Sequence, residues 1–164
     1  MSTLELAFEI IQKYQKSAPV NIEAIIRELG IKLDKKAELD DHVSGQIQKL
    51  IDGSYQISTN KNNHYFRQRF TMAHELGHYL LHRKMIGDGV NDSMMFRTTT
   101  EGKFYNLNIT QNEETEANQF AASVLMPAHL IRELQNKGVQ TTKELAKKLL
   151  SSEAAIKIRL ESMV

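Results

Sequence analysis

The run Arg67-Gln68-Arg69-Phe70-Thr71-Met72-Ala73-His74-Glu75-Leu76-Gly77-His78-Tyr79-Leu80-Leu81-His82 sets two histidines four positions apart, with a glutamate directly after the first. Side chains at i and i+4 of a helix project from one face, so His74 and His78 can close on a single cation through neutral imidazole nitrogens. Glu75 falls to the side of that pair, where it can take a proton from water rather than bind the metal. The spacing predicts a helix from His64 or Tyr65 to about Arg83, with Phe66, Phe70, Ala73, Gly77, Leu80 and Leu81 as its buried stripe. A glycine inside a helix costs about 1 kcal/mol relative to alanine. Gly77 therefore implies close approach, by a substrate, another backbone or a tightly packed helix.

Two histidines leave a zinc site incomplete, and the next acidic cluster is Glu113-Glu114-Thr115-Glu116-Ala117-Asn118. At about 100° per residue, Glu114 shares a stripe with Ala117, Asn118, Ala121 and Leu125, which turns its carboxylate toward the core. A buried carboxylate is costly alone, and a metal ion removes that cost. Glu114 is thus the expected third ligand, with Glu113 at the edge of the stripe as the alternative and Glu116 on the solvated side. Both of these also suit an acidic helix N-terminus. Asn118, one turn after Glu114, is placed to hydrogen-bond a ligand. His82 is excluded as a ligand sharing an ion with His74, because eight helical residues rise about 12 Å; it is kept as a group orienting the ligands. Tyr65, Tyr105 and His129 are the candidate donors to a developing oxyanion. His42 and His64 are isolated and carry no functional expectation.

Around this centre the pattern predicts an α+β chain, mostly helical, with a small antiparallel sheet. Ser2 and Glu5 form a capping box ahead of Leu4, Ala7, Phe8, Ile11 and Tyr14, and Asn21 can cap a second helix that ends at Gly30. Ile31 to Asp34 reads as a strand, and Val43 to Ile51 and Tyr55 to Thr59 as a hairpin turning at Asp52-Gly53. Residues 86 to 112 lack sustained periodicity, apart from a short strand at Phe104 to Ile109. After Pro127 come three short helices, Ala128 to Asn136, Lys143 to Leu150 and Glu153 to Met163, the last two resembling a helix-turn-helix. The expected division is a metal-binding domain over 1–127 and a helical C-terminal subdomain over 128–164, packed on it.

With 164 residues and 41% hydrophobic content the chain suits one compact domain with a small appendage. Lys and Arg number 21 against 20 Asp and Glu, so no global field favours nucleic acid or a membrane surface. Residues 128–164 hold seven basic side chains against four glutamates, a small excess for a phosphate-binding face, and direct nucleic-acid contact is not expected. The absence of cysteine excludes disulfides and thiolate metal sites. Acidic residues near the N-terminus and the lack of a long apolar run predict a cytoplasmic protein.

Three runs in order, the HELGH stretch, Glu114-x-Glu116-Ala117-Asn118-x-Phe120-Ala121-Ala122 and Leu125-Met126-Pro127, resemble the ImmA/IrrE family of zinc metallopeptidases. The resemblance implies a thermolysin-like, gluzincin-type core in which one zinc ion is held by His74, His78 and Glu114, with Glu75 as general base. It implies further that the partner is a separate protein substrate, a helix-turn-helix repressor of a mobile-element, phage or stress operon, which the chain would cleave. A partner that binds or sequesters the repressor without proteolysis, or a regulator that contacts DNA, are the alternative readings. A peptide substrate is expected to add to the edge of the Val43 to Thr59 hairpin.

Overall fold

The computed structural model describes residues 1–87, 89–93 and 109–163. Helix α1 (Thr3–Tyr14) starts at the capping box: the Ser2 hydroxyl accepts from the Glu5 amide, and the Glu5 carboxylate accepts from the Ser2 amide. Its buried side is Ala7, Ile10 and Ile11, whereas Leu4 and Phe8 of the expected stripe are exposed. Helix α2 (Ile22–Glu28), capped by Asn21, buries Ile22, Ile25 and Ile26. Strands β1 (Lys32–Ala37), β2 (Val43–Lys49) and β3 (Tyr55–Asn60) follow.

Helix α3 (Tyr65–Leu81) carries the two histidines. The short α4 (Arg83–Ile86) and strand β4 (Gly89–Ser93) come next, and helices α5 (Gln111–Leu125), α6 (Ala128–Asn136), α7 (Thr142–Leu149) and α8 (Glu153–Ser162) complete the described chain. Among the described residues no helix is long and apolar enough to cross a membrane.

The chain is α+β as expected, but its sheet is mixed. The strand order is β1-β3-β2-β4; β2 is antiparallel to both β3 and β4, while β1 runs parallel to β3. A parallel neighbour needs a crossover rather than a hairpin, and β1 meets this by joining β3 from the far side of the hairpin. Strand β4, inside the stretch read as aperiodic, covers the outer edge of β2. Both hairpin strands are thus interior among the described residues, so the expected substrate edge on the hairpin is already paired. The expected strand at Phe104 to Ile109 falls almost wholly outside the described residues.

Helix α3 lies between the sheet and α5, which is why residues 71–78 are buried all round rather than along one stripe. Leu81 of the expected stripe is exposed, and Phe66, Phe70 and Leu80 are half-buried. Gly45 fixes the sheet side of this packing: a Cβ there would stand 2.4 Å from Thr71 Cγ2 and 2.7 Å from the Ser58 carbonyl oxygen. Ile47 and Ile57, paired across β2 and β3, are fully buried beneath α3.

One apolar core runs from α2 and the sheet through Met72 and Leu76 to Ile131, Leu145, Leu149 and Ile156 of the C-terminal helices. Arg69 ties the same parts together by polar bonds. Its buried guanidinium donates to the carbonyls of Val20 (2.9 Å) and Leu150 (3.2 Å), with Leu149 O at 3.5 Å. The last two belong to the C-terminal end of α7, where carbonyls lack helical partners and a cation is favoured.

Candidate metal centre

Helix α3 begins at His64, whose Nδ1 accepts from the Phe66 amide. Two turns of buried helix then carry His74 and His78 onto the face that meets α5. Gly77 lies on this contact: a Cβ there would stand 3.0 Å from Phe120 Cδ1 and 3.3 Å from Ala117 Cα. The glycine and Ala117 together let the two helices approach closely, which brings a carboxylate of α5 to the imidazoles of α3.

That carboxylate belongs to Glu114. Its Oε2 lies 3.0 Å from His74 Nε2 and its Oε1 3.3 Å from His78 Nε2. All three side chains are buried, and one ligand atom from each can be chosen so that the three lie within 4.8 Å of one another. Each imidazole is held from behind through its other nitrogen. His74 Nδ1 is 2.7 Å from Asn118 Oδ1, and His78 Nδ1 is 3.0 Å from His82 Nδ1. A proton carried on Nδ1 and donated to such a partner frees Nε2 to face an ion, the tautomer that a metal ligand requires.

The protonation states also suit a divalent ion. Burial works to raise the Glu114 pKa, but hydrogen bonds and charge interactions with His74 and His78 outweigh it and hold the carboxyl at about 2. Burial pushes the His78 pKa below the usual histidine value. An ionised carboxylate and a neutral imidazole are the forms that coordinate metal without first losing protons. Two nitrogens and one carboxylate oxygen, with no thiolate, form a donor set typical of catalytic zinc. The residues present therefore fit a zinc ion. Glu75, next to His74 on α3, is fully buried.

The other expected residues divide cleanly. Asn118 and His82 stand behind the two imidazoles, and the Nε2 of His82 faces the exposed Glu116 at 3.6 Å. Glu113 belongs to a capping box: its carboxylate accepts from the amide (2.9 Å) and the hydroxyl of Thr110 at the start of α5. The Tyr65 hydroxyl donates to Glu23 on α2 at 2.5 Å, and His129 Nε2 contacts the Gln15 carbonyl at 2.7 Å, so neither turns to the three ligand atoms. Tyr105 lies outside the described residues.

A cavity of about 840 Å³ opens onto His74 and Glu114 between α3, α5 and α8. Its lining includes Arg67, to which the sequence reading gave no role, and Arg159, which it weighed only for nucleic-acid contact. The available signal was spacing, because Arg67 precedes His74 by seven residues and so occupies the same helix face two turns earlier.

A mixed α+β fold with a buried His-His-Glu cluster and a glutamate beside the first histidine defines a protein of the metallopeptidase type. Residues 23–161 match the family model described as IrrE N-terminal-like domain, and the chain belongs to this ImmA/IrrE peptidase family. Among solved structures it is similar to a Mycobacterium tuberculosis transcriptional regulator, with 13% identity and a TM-score of 0.62 over 96% of this chain. The match spans 46% of that protein's length, so the chain corresponds to about half of it. No curated protein matches the chain.

Proposed function

We propose that the chain is a zinc-dependent endopeptidase of the cytoplasm, with a helix-turn-helix repressor as its protein substrate. Cleavage of that repressor would release a mobile-element, phage or stress operon. The observation that carries the catalytic reading is the buried convergence of His74, His78 and Glu114, with Glu75 adjoining His74 on the same helix. The repressor is inferred from membership of the ImmA/IrrE family, and the name of the mycobacterial protein of like fold, a transcriptional regulator, accords with that setting.

His74 and His78 would hold the ion through Nε2, and Glu114 through its carboxylate. When bound there, zinc supplies Lewis acidity toward water and the scissile carbonyl. Glu75 takes the proton of the attacking water and returns it to the leaving amine, so that one carboxylate serves as base and then as acid. Asn118 and His82 keep the two imidazoles in the tautomer and orientation that this requires.

The test is to incubate the full chain, with and without added zinc, with a helix-turn-helix repressor encoded beside it. Fragments are followed by gel and mass spectrometry, and Glu75→Gln is run in parallel. Zinc-dependent fragments absent from Glu75→Gln are expected. Fragments that persist with Glu75→Gln would remove the mechanism, and tight binding without cleavage would favour sequestration.

A further inference from the structure

The cavity beside the cluster has a composition that the catalytic reading leaves unused. Its walls are apolar where Phe70 of α3, Ala122 of α5, Met126 at the end of α5 and the largely exposed Ile158 of α8 face it. It also carries two guanidiniums. Arg67 donates from Nε and Nη2 to Ser44 Oγ on β2 (3.3 and 3.1 Å), and Arg159 donates from Nε to the Met126 carbonyl at 2.8 Å. These partners are neutral. They fix each guanidinium in place and leave its charge uncompensated.

Among the described residues neither arginine forms an ion pair, and Glu114 is the sole carboxylate in the cavity lining. A metal ion held by the cluster would take up that one negative charge. The described lining therefore presents positive charge to whatever enters it, beside apolar side chains that can pack against a neighbouring residue. Guanidinium is also the side chain best shaped for a carboxylate, through two parallel N–H donors.

Distance sets where the partner lies. Seven residues of helix put Arg67 about 10 Å from His74 along α3, and an extended peptide advances about 3.3 Å per residue. Resting on the peptidase reading above, we propose that this cavity is a specificity cleft for a peptide segment bearing an acidic side chain within about three residues of the scissile bond. Arg67 and Arg159 select the carboxylate, and Phe70, Met126 and Ile158 receive the apolar neighbours.

The experiment measures binding rather than turnover. Short leucine–alanine peptides carrying a zinc-chelating hydroxamate at either end, with glutamate, glutamine or lysine placed at each position in turn, are titrated calorimetrically into the zinc-loaded full chain. The free ends of the peptides that bear the hydroxamate at the N-terminus are amidated, and one set is repeated as the free acid. At one position glutamate is expected to bind about tenfold tighter than glutamine, the gain of one charge-assisted contact. Arg67→Gln and Arg159→Gln should each reduce that preference, and Arg67→Glu should shift it toward lysine, a gain that misfolding cannot produce.

Equal affinity for glutamate, glutamine and lysine at every position would overturn the assignment while leaving the peptidase reading in place. A preference for the free-acid end alone would also overturn it, since the cleft would then read a chain terminus. Failure of every hydroxamate to bind protein of full zinc content would remove the peptidase reading and this inference together.

Discussion

His82 Nδ1 lies 3.0 Å from His78 Nδ1, and only one of these two nitrogens can carry the proton between them. If His78 is to offer Nε2 to a metal, the proton belongs on its own Nδ1, and His82 must accept. His82 then carries its proton on Nε2, which faces Glu116 at 3.6 Å. The arrangement is a carboxylate, a histidine and a ligating histidine in series. His82→Ala is expected to weaken zinc binding by about 10–100-fold, the usual effect of losing a group that orients a ligand. Equilibrium dialysis with metal analysis measures it, and wild-type affinity in the alanine variant would disprove the orienting role.

The two neighbouring glutamates of α5 should respond oppositely to removal of charge. Glu114→Gln is expected to abolish stoichiometric zinc. Glu113→Gln should keep the metal and change stability little, because an amide oxygen at this exposed position can still accept from Thr110 in the capping box. Metal content and urea denaturation of both variants separate the two roles. Zinc loss in Glu113→Gln with retention in Glu114→Gln would reverse the ligand assignment.

Acid should release the metal through the histidines. Glu114 is held at about 2 and stays ionised throughout mild acid, whereas the His78 pKa is pushed below 6.5 by burial. A histidine kept neutral in the fold takes up its proton later than in the unfolded chain, so its contribution to stability is complete above 6.5 and declines as pH falls below it. Zinc retention should accordingly be flat from pH 7.5 to 6.5 and fall at lower pH. A decline centred at or above pH 6.5 would contradict the shifted histidine.

What the sequence made legible was local. The i, i+4 histidines, the Glu114 stripe and the side-chain caps at Ser2 and Asn21 all depend on residues within one or two turns. The choice of distant partners was not legible. That β1 would pair in parallel with β3, and that five residues after Gly87 would close the edge of β2, are decided by tertiary packing, which short strands do not encode in their own alternation. The stripe of α3 misled for the same reason. A helix covered by a sheet on one side and α5 on the other buries His74, Glu75, His78 and Arg69 together with its apolar residues, so hydrophobic spacing alone underestimates its burial.

Glu75→Gln is expected to retain zinc at the wild-type level and to slow peptide cleavage by about 10²–10⁴-fold, the range associated with a positioned acid–base group. The amide preserves the volume of a fully buried side chain and removes only its capacity to take a proton. Metal analysis and fragment appearance on the same preparation provide the check. Unchanged cleavage would assign the base elsewhere.

Arg69 gives the prediction with the widest structural reach. Its guanidinium serves carbonyls that lie 49 residues before it and 80 and 81 residues after it, joining the segment ahead of α2 to the end of α7. Leu150, one of the acceptors, adopts a left-handed conformation with φ of 50° as it ends α7. Burial lowers the Arg69 pKa from its usual value, yet a guanidinium remains charged at any working pH. Arg69→Met fills much of the same space but leaves those buried carbonyls without their donor, at a cost of about 2–4 kcal/mol. In urea the variant should unfold at a lower midpoint, and α6 to α8 should unfold with the rest if the continuous core governs cooperativity. Hydrogen exchange followed by peptide mass spectrometry distinguishes this outcome from selective loosening of residues 142–163, which would make Arg69 the main tie between the C-terminal helices and the metal-bearing helix.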